Sequence, residues 1–208
     1  MNSKKITLID YNIGNINSIF RILVKLGFDV NVASDYSGIK DAEKLILPGV
    51  GHFERAVENL NKLNLWEIIN RKVLIEKIPI LGICLGMQLM CKNSEEGKSN
   101  GFGWFDANII RFNIPNNKKF KIPHIGWNSV KIKKDNCLTG KLDNENEFYF
   151  VHSYHLLCND KNDVLAETKY DYYFPSIIKK DNIMGTQFHP EKSHHFGEII
   201  LRNFGNSI

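Results

Sequence analysis

Long apolar runs are missing from this 208-residue sequence. None approaches the roughly 18 apolar residues that a membrane span needs. The N-terminal MNSKKITLIDY offers only about five after its two lysines, too few for a signal peptide. Cysteine is scarce. Cys84, Cys91, Cys137 and Cys158 form no C-x-x-C pair and show no dense spacing, which argues against a disulfide framework and against a zinc site. Charge of one sign is lacking too: 27 Lys and Arg against 23 Asp and Glu leave +4. The nearest approach to a basic patch, Lys118 to Lys121 and Lys131 to Lys134, reads as solvated lysines, so nucleic acid is not an expected partner. No repeat, low-complexity tract or Pro/Ser-rich linker divides the chain. The expectation is one soluble, cytoplasmic domain over residues 1–208, with no metal, no cofactor and no membrane contact.

What is present is an alternation of short buried strands and helices. KKITLID (4–10), FDVNVA (28–33), KLILPG (44–49) and IPILGI (78–83) read as strands. INSIFRILVKLG (16–27) carries a helical apolar stripe ending on Gly27, and a second helical stretch runs from about 53 to 77, interrupted near Asn64. This order predicts an α/β fold with a largely parallel sheet. The second half is richer in strands: GWFDANIIRF, NSVKIKK, EFYFVHSYHL, VLAETKY, FPSIIKK and NIMGTQF. From His194 the pattern is helical again.

Three stretches bear on chemistry. In GICLG, Cys84 stands between glycines where a strand runs into a helix, the arrangement of a nucleophile elbow. A helix N-terminus there favours thiolate over thiol and leaves the Leu85 N–H free to face an oxyanion. Taken alone, an inert buried thiol is the plainer reading of Cys84, and Cys91, further along the same helical stretch, reads as filler. In FHPEK, Pro190 biases His189 towards extended backbone, so that His189 and Glu191 lie on one side as a base and the acid that orients it. A loop histidine beside a surface glutamate is the competing reading. His52, His124, His152 and His155 have no acid two residues away, and His194 and His195 read as surface. Finally, LPGVGHF (47–53) is a glycine-rich turn after a strand that can present N–H groups to an anion; no Gly-Lys-Ser/Thr follows, so it is not a P-loop.

PGVGHF, GICLGMQLM and FHPEKS in this order resemble the class I, triad-type glutamine amidotransferases. DYNIGNINS (10–18), IPHIGWN (122–128) and YFVHSYH (149–155) are similar to the glutaminase subunits of imidazole glycerol phosphate synthases. The resemblance runs from residue 6 to residue 204. It implies a flavodoxin-like three-layer α/β/α fold and hydrolysis of glutamine to glutamate and ammonia. By the same resemblance Cys84 is the nucleophile, His189 the base and Glu191 its orienting acid. Val50 and Leu85 supply the oxyanion N–H groups, with Gly49 letting the first peptide turn. Gly51, Gln88, Glu96 and the Ser153–Tyr154 backbone hold the substrate. Asn12, Asn15, Trp127, Asn128, Tyr149 and Lys192 face a partner.

Asn12 stands where the family has Gly, Ile125 where Met is common, and His155 where an aromatic residue is usual. The last of these touches the choice of partner. The implied partner is a (β/α)8-barrel cyclase subunit in a heterodimer, which uses the ammonia in histidine biosynthesis. The alternative is the same glutaminase serving a paralogous synthase that amidates a surface-polysaccharide or flagellar sugar. A catalytically silent module on this fold is the third reading, and it has no need of Cys84, His189 and Glu191 together. Trp127 has a competing reading as a core residue.

Overall fold

A computed structural model describes residues 5–115, 120–143 and 146–207. Lys118 and Lys119 of the first lysine cluster lie outside the described residues. In chain order the elements are β1 (Lys5–Ile9), α1 (Ile16–Lys25), β2 (Asp29–Ala33), α2 (Tyr36–Ile39), β3 (Leu45–Leu47), α3 (Phe53–Lys62) and α4 (Trp66–Asn70). They continue with β4 (Ile80–Ile83), α5 (Leu85–Leu89), β5 (Asn93–Ser94), β6 (Ala107–Arg111), β7 (His124–Ser129), β8 (Lys131–Ile132) and β9 (Glu147–His152). The last are β10 (Tyr154–Cys158), β11 (Val164–Tyr170), β12 (Tyr172–Lys180), β13 (Ile183–Thr186) and α6 (His194–Asn206).

An eight-stranded sheet runs β2-β1-β3-β4-β13-β12-β11-β8. Its first five strands are parallel neighbours, and β12, β11 and β8 continue it antiparallel. This is the α/β fold with a largely parallel sheet that the alternation predicts. Successive side chains of a strand point to opposite faces, and the short inner strands supply both layers at once. Leu45, Leu47 and Ile80 pack with α3, α4 and α5, whereas Ile46, Leu81 and Ile83 pack with α1, α6 and β9. Strands buried on both faces read as continuous apolar runs for this reason.

The stripe of α1 buries Ile19 and Leu23, and Gly27 follows at φ +87° with its N–H on the Val24 carbonyl, closing the helix as expected. Asn64, at φ +55°, breaks the second helical stretch. That stretch ends in a wide π-type turn, Arg71–Ile75.

Two expected strands differ. EFYFVHSYHL is not continuous: it breaks at Ser153, after which β10 leaves β9 and pairs with β6. NSVKIKK contributes only its first two residues and the short β8, because the strand before it begins earlier, at His124, and pairs with β9 as a two-stranded ribbon. Cys91 is buried, but α5 ends at Leu89, so it lies just beyond that helix. No described helix is long and apolar enough to cross a membrane.

Candidate active site

Strand β4 ends against β13, with the Cys84 N–H on the Thr186 carbonyl at 2.8 Å. Cys84 then turns to φ +53°, a left-handed backbone that a side chain rarely adopts, and α5 starts at the next residue. Strain of this kind persists only where its surroundings enforce it. Here the enforcing contact is the approach of α5 to β3: a Cβ on Gly86 would run into the Leu47 carbonyl oxygen. Gly49 is equally confined, since a Cβ there would lie 2.8 Å from the Gly86 nitrogen and from the Tyr11 hydroxyl. The Tyr11 hydroxyl donates to the Pro48 carbonyl at 2.5 Å. Burial, with Cys84 nearby, pushes its ionisation up and keeps it a donor. The turn after β3 is thereby pressed against the turn after β4.

His189 follows β13 with an extended backbone, φ −96° and ψ 97°. Pro190–Lys192 then form a single 3-10 turn. That turn, and not a continued extended chain, brings a Glu191 carboxylate oxygen to 2.8 Å from His189 Nδ1. Both side chains are buried. His189 Nε2 is buried without a hydrogen-bond partner of its own and is left to Cys84. Burial opposes charge on this imidazole, but the Cys84 sulfur and then Glu191 outweigh it, and the pKa is pushed up to about 10. The turn is anchored at both ends: the His189 N–H donates to the Tyr149 carbonyl at 2.9 Å, and the Tyr149 N–H donates to Ser193 Oγ at 3.0 Å.

A small cavity opens beside Cys84. Val50, Gly51, Leu85, Gln88, Glu96, Ser153 and Tyr154 line it, together with Val151 and His152. The structure therefore gathers every sequence-predicted substrate residue, with Val50 and Leu85, around one thiol. Glu96 stands half-buried, one carboxylate oxygen accepting from the Phe53 N–H at 2.9 Å at the start of α3. Gln88 donates from Nε2 to the Tyr154 carbonyl and to Gln187 Oε1, each at 3.1 Å, and Gln187 Nε2 stands 3.7 Å from Cys84 Sγ. Gln187, Tyr11, His124 and His152 were not singled out by sequence reasoning. Gln187 precedes His189 by two residues, just past the end of β13, a spacing visible in the sequence; the two histidines meet only through strand register. Among the described residues no group of three His, Cys, Asp or Glu side chains could hold a metal ion.

The residues expected to face a partner lie outside this cavity. Trp127 and Tyr149 are directly opposite in the β7–β9 ribbon, their ring centroids 6.1 Å apart. Trp127 is 45% exposed, which overturns its reading as core. The His194 ring stacks on it at 5.1 Å, and Lys192 lies over the Tyr149 ring at 5.6 Å. Asn12 is exposed at φ +63°, a conformation Asn tolerates in place of Gly. Asn15 precedes α1 without capping it through its side chain. Asn128 instead faces inward, with its amide on His124 and on the Lys169 carbonyl. His155 is buried, bonded to the Tyr172 hydroxyl at 2.9 Å, so it cannot touch a partner directly.

Residues 7–207 match the family described as glutamine amidotransferase class-I. The chain is 49% identical over 199 residues to the imidazole glycerol phosphate synthase subunit HisH 2 of Methanococcus maripaludis, covering 96% of this chain and 98% of that one. It is 39% identical over 202 residues to the HisH subunit of Leptospira interrogans, covering 97% and 99%. Among solved structures it superimposes on PurLQS from Thermotoga maritima with TM-score 0.74 at 15% identity, covering 97% of each chain. The glutaminase domain of Trypanosoma brucei CTPS with bound acivicin aligns with TM-score 0.66 at 14% identity, covering 98% and 94%. At these identities the structural matches speak to the fold.

Proposed function

The chain belongs to the class-I glutamine amidotransferase family, and within it to the imidazole glycerol phosphate synthase HisH subunits; from that premise we propose how its residues release ammonia from glutamine. The observation that carries the reading is Cys84 held at φ +53° facing a buried His189 whose other ring nitrogen is fixed by Glu191. His189 rests as imidazolium beside the Cys84 sulfur, in keeping with its pKa of about 10.

Cys84 Sγ attacks the side-chain amide carbon of glutamine, and the carbonyl electron pair moves onto oxygen. The N–H groups of Leu85 and Val50 stabilise that oxyanion, which requires the Gly49–Val50 peptide to aim its N–H into the cavity. As the tetrahedral adduct collapses, His189 gives its proton to the departing nitrogen, and ammonia leaves a thioester on Cys84. The now neutral His189 takes a proton from water, which adds to the thioester carbon. Collapse expels the Cys84 thiolate as glutamate forms, and His189 is again charged. Glu191 fixes the ring throughout. Glu96, with its half-buried carboxylate, attracts the substrate's ammonium, while Gly51, Gln88 and the Ser153–Tyr154 backbone border the amino-acid moiety. No cofactor enters any step.

We further propose that residues 1–208 act as one cytoplasmic domain within a heterodimer. The ammonia passes to a (β/α)8-barrel synthase subunit for imidazole glycerol phosphate formation in histidine biosynthesis. A second reading has one observation in its favour: the relative at 49% identity is named HisH 2, and a numbered copy invites a paralogous synthase acting on a sugar. Complementation of a histidine-requiring strain by the wild-type gene and by Cys84→Ala separates the two. Growth with the first and not the second supports the histidine role; growth with neither, from a protein that still releases glutamate with a synthase, supports the paralogue.

A further inference from the structure

His152 of β9, which lines one wall of the cavity, and His124 of β7 behind it are cross-strand partners, with His124 Nδ1 3.0 Å from His152 Nε2. Nothing in the chemistry above uses either ring. Their proton positions can nevertheless be deduced from both ends of the chain of bonds they belong to. At one end, the Asn128 amide is oriented by two backbone groups: its oxygen accepts from the Ser129 N–H at 2.9 Å, and its nitrogen donates to the Lys169 carbonyl at 3.0 Å. That nitrogen faces His124 Nε2 at 3.3 Å, so Nε2 must accept, and the His124 proton sits on Nδ1. At the other end, His152 Nδ1 stands 2.8 Å from the Tyr154 carbonyl, which can only accept, so Nδ1 is protonated and Nε2 accepts from His124. Both ends thus set one donor direction, from the Asn128 amide through the two rings to the Tyr154 carbonyl.

Both rings must be uncharged for the chain to close, since a second proton on either would set donor against donor. The surroundings enforce this. His124 is stacked between Tyr170 and Phe150, at 4.0 and 4.9 Å, and burial pulls its pKa down to about 4. His152 is held well below the usual range, by burial before any other cause. The chain does not stop at Tyr154. The same carbonyl accepts from Gln88 Nε2, whose amide sets Gln187, whose amide in turn faces Cys84.

We infer that His124 and His152 are positioning residues for substrate, a one-way pair of imidazoles that ties Asn128 in the exposed ribbon to the Tyr154 carbonyl and holds the Ser153–Tyr154 edge of the cavity. This rests on the reading of that cavity as the glutamine site. Because the pair lies where β9 breaks from β10, its loss releases the corner between two sheets rather than an isolated side chain.

The test separates the hydrogen bonds from mere filling of space. His124→Phe keeps an aromatic ring in the stack and removes the donor to His152. His124→Asn gives up the ring and keeps a donor at the Nδ1 position. The readout is the glutamine concentration that halves alkylation of Cys84 by iodoacetamide, which needs no turnover. His124→Phe is expected to raise it about fivefold or more, and His124→Asn to restore most of the loss, on the scale of one hydrogen bond. A wild-type value in His124→Phe, or an equal loss in both variants, overturns the inference. Ring nitrogen NMR of the wild-type chain provides an independent check: both histidines must be neutral with the proton on Nδ1, and a proton on Nε2 of either overturns it. If glutamine fails to protect wild-type Cys84, the glutaminase reading falls, and the ring tautomers still decide the fate of the relay.

Discussion

The imidazole of His189 and the carboxylate of Glu191 meet at 2.8 Å across a single turn, both buried, with the other ring nitrogen left to Cys84. Since the Cys84 sulfur outweighs Glu191 among the influences that keep this ring charged against the cost of burial, the titration of His189 reports on Cys84. In Cys84→Ser the His189 pKa is expected to fall from about 10 towards or below its ordinary value of 6.5. A raised folded-state pKa adds stability that is complete below 6.5 and lost as pH rises through about 10. Wild type should therefore lose stability between about pH 8 and about pH 10.5 more steeply than Cys84→Ser, as urea midpoints at the two pH values would record. Equal slopes would detach His189 from Cys84.

Reactivity should single out one thiol of the four. Cys91 and Cys158 are buried, and burial pushes both pKa values up, most strongly for Cys91. Cys137 is exposed and will react with any small alkylating reagent. A glutamine-like chloroketone is expected to modify Cys84, with glutamine protecting that site and leaving Cys137 unprotected. Peptide mass spectrometry reads the outcome, and glutamine-protected labelling of Cys91 or Cys137 would remove Cys84 from its proposed role.

Gly86 tests the packing that forces the strained turn. Its missing side chain is where α5 meets the backbone of β3, so Gly86→Ala must push helix from sheet. Overpacking of this kind costs about 1–3 kcal/mol, which in a chain of this size lowers Tm by roughly 2–12 °C. Glutaminase activity should fall further than stability, because Cys84 sits at the displaced helix start. A variant with wild-type Tm and wild-type turnover would contradict the account of the turn.

Much of this was legible because it is local. Strand-to-helix order, the glycines around Cys84, and His189 two residues before Glu191 are all short-range patterns, and the fold follows from apolar runs that serve both faces of a sheet. What escaped depended on register. His124 and His152 have no acid two residues away in sequence, yet they are direct partners across β7 and β9. Trp127 was ambiguous for the same reason: in HIGWNS the burial alternates, and only pairing with Tyr149 fixes which face is outward. EFYFVHSYHL reads as one aromatic-rich strand, and nothing in its composition marks Ser153 as the corner where the chain passes from one sheet to another.

The outer face of the β7–β9 ribbon carries the last prediction. Ile125 and Trp127 are exposed there opposite Val151 and Tyr149, and Val151 itself lines the cavity beside Cys84. An apolar, aromatic surface thus runs without interruption into the cavity mouth, and Lys192 and His194 cap it through the rings of Tyr149 and Trp127. Residues of these types concentrate binding energy in interfaces. A synthase docked on this face would press on Tyr149, whose carbonyl and N–H bond to the His189 N–H and to Ser193 Oγ. One strand therefore connects the partner to the catalytic turn, and docking can favour the conformer in which the oxyanion N–H groups are aligned. Removal of Trp127 leaves the buried parts of the ribbon intact because that side chain lies on the outward face, nearly half exposed. Trp127→Ala should accordingly keep the slow glutamate release of the isolated subunit within about twofold, yet lose about tenfold or more of the acceleration given by a ligand-loaded synthase, the scale of one interface anchor. Glutamate release measured with and without the synthase and its acceptor ligand decides the matter: an unchanged acceleration would place the coupling surface elsewhere, and a collapse of the basal rate would make Trp127 part of the site itself.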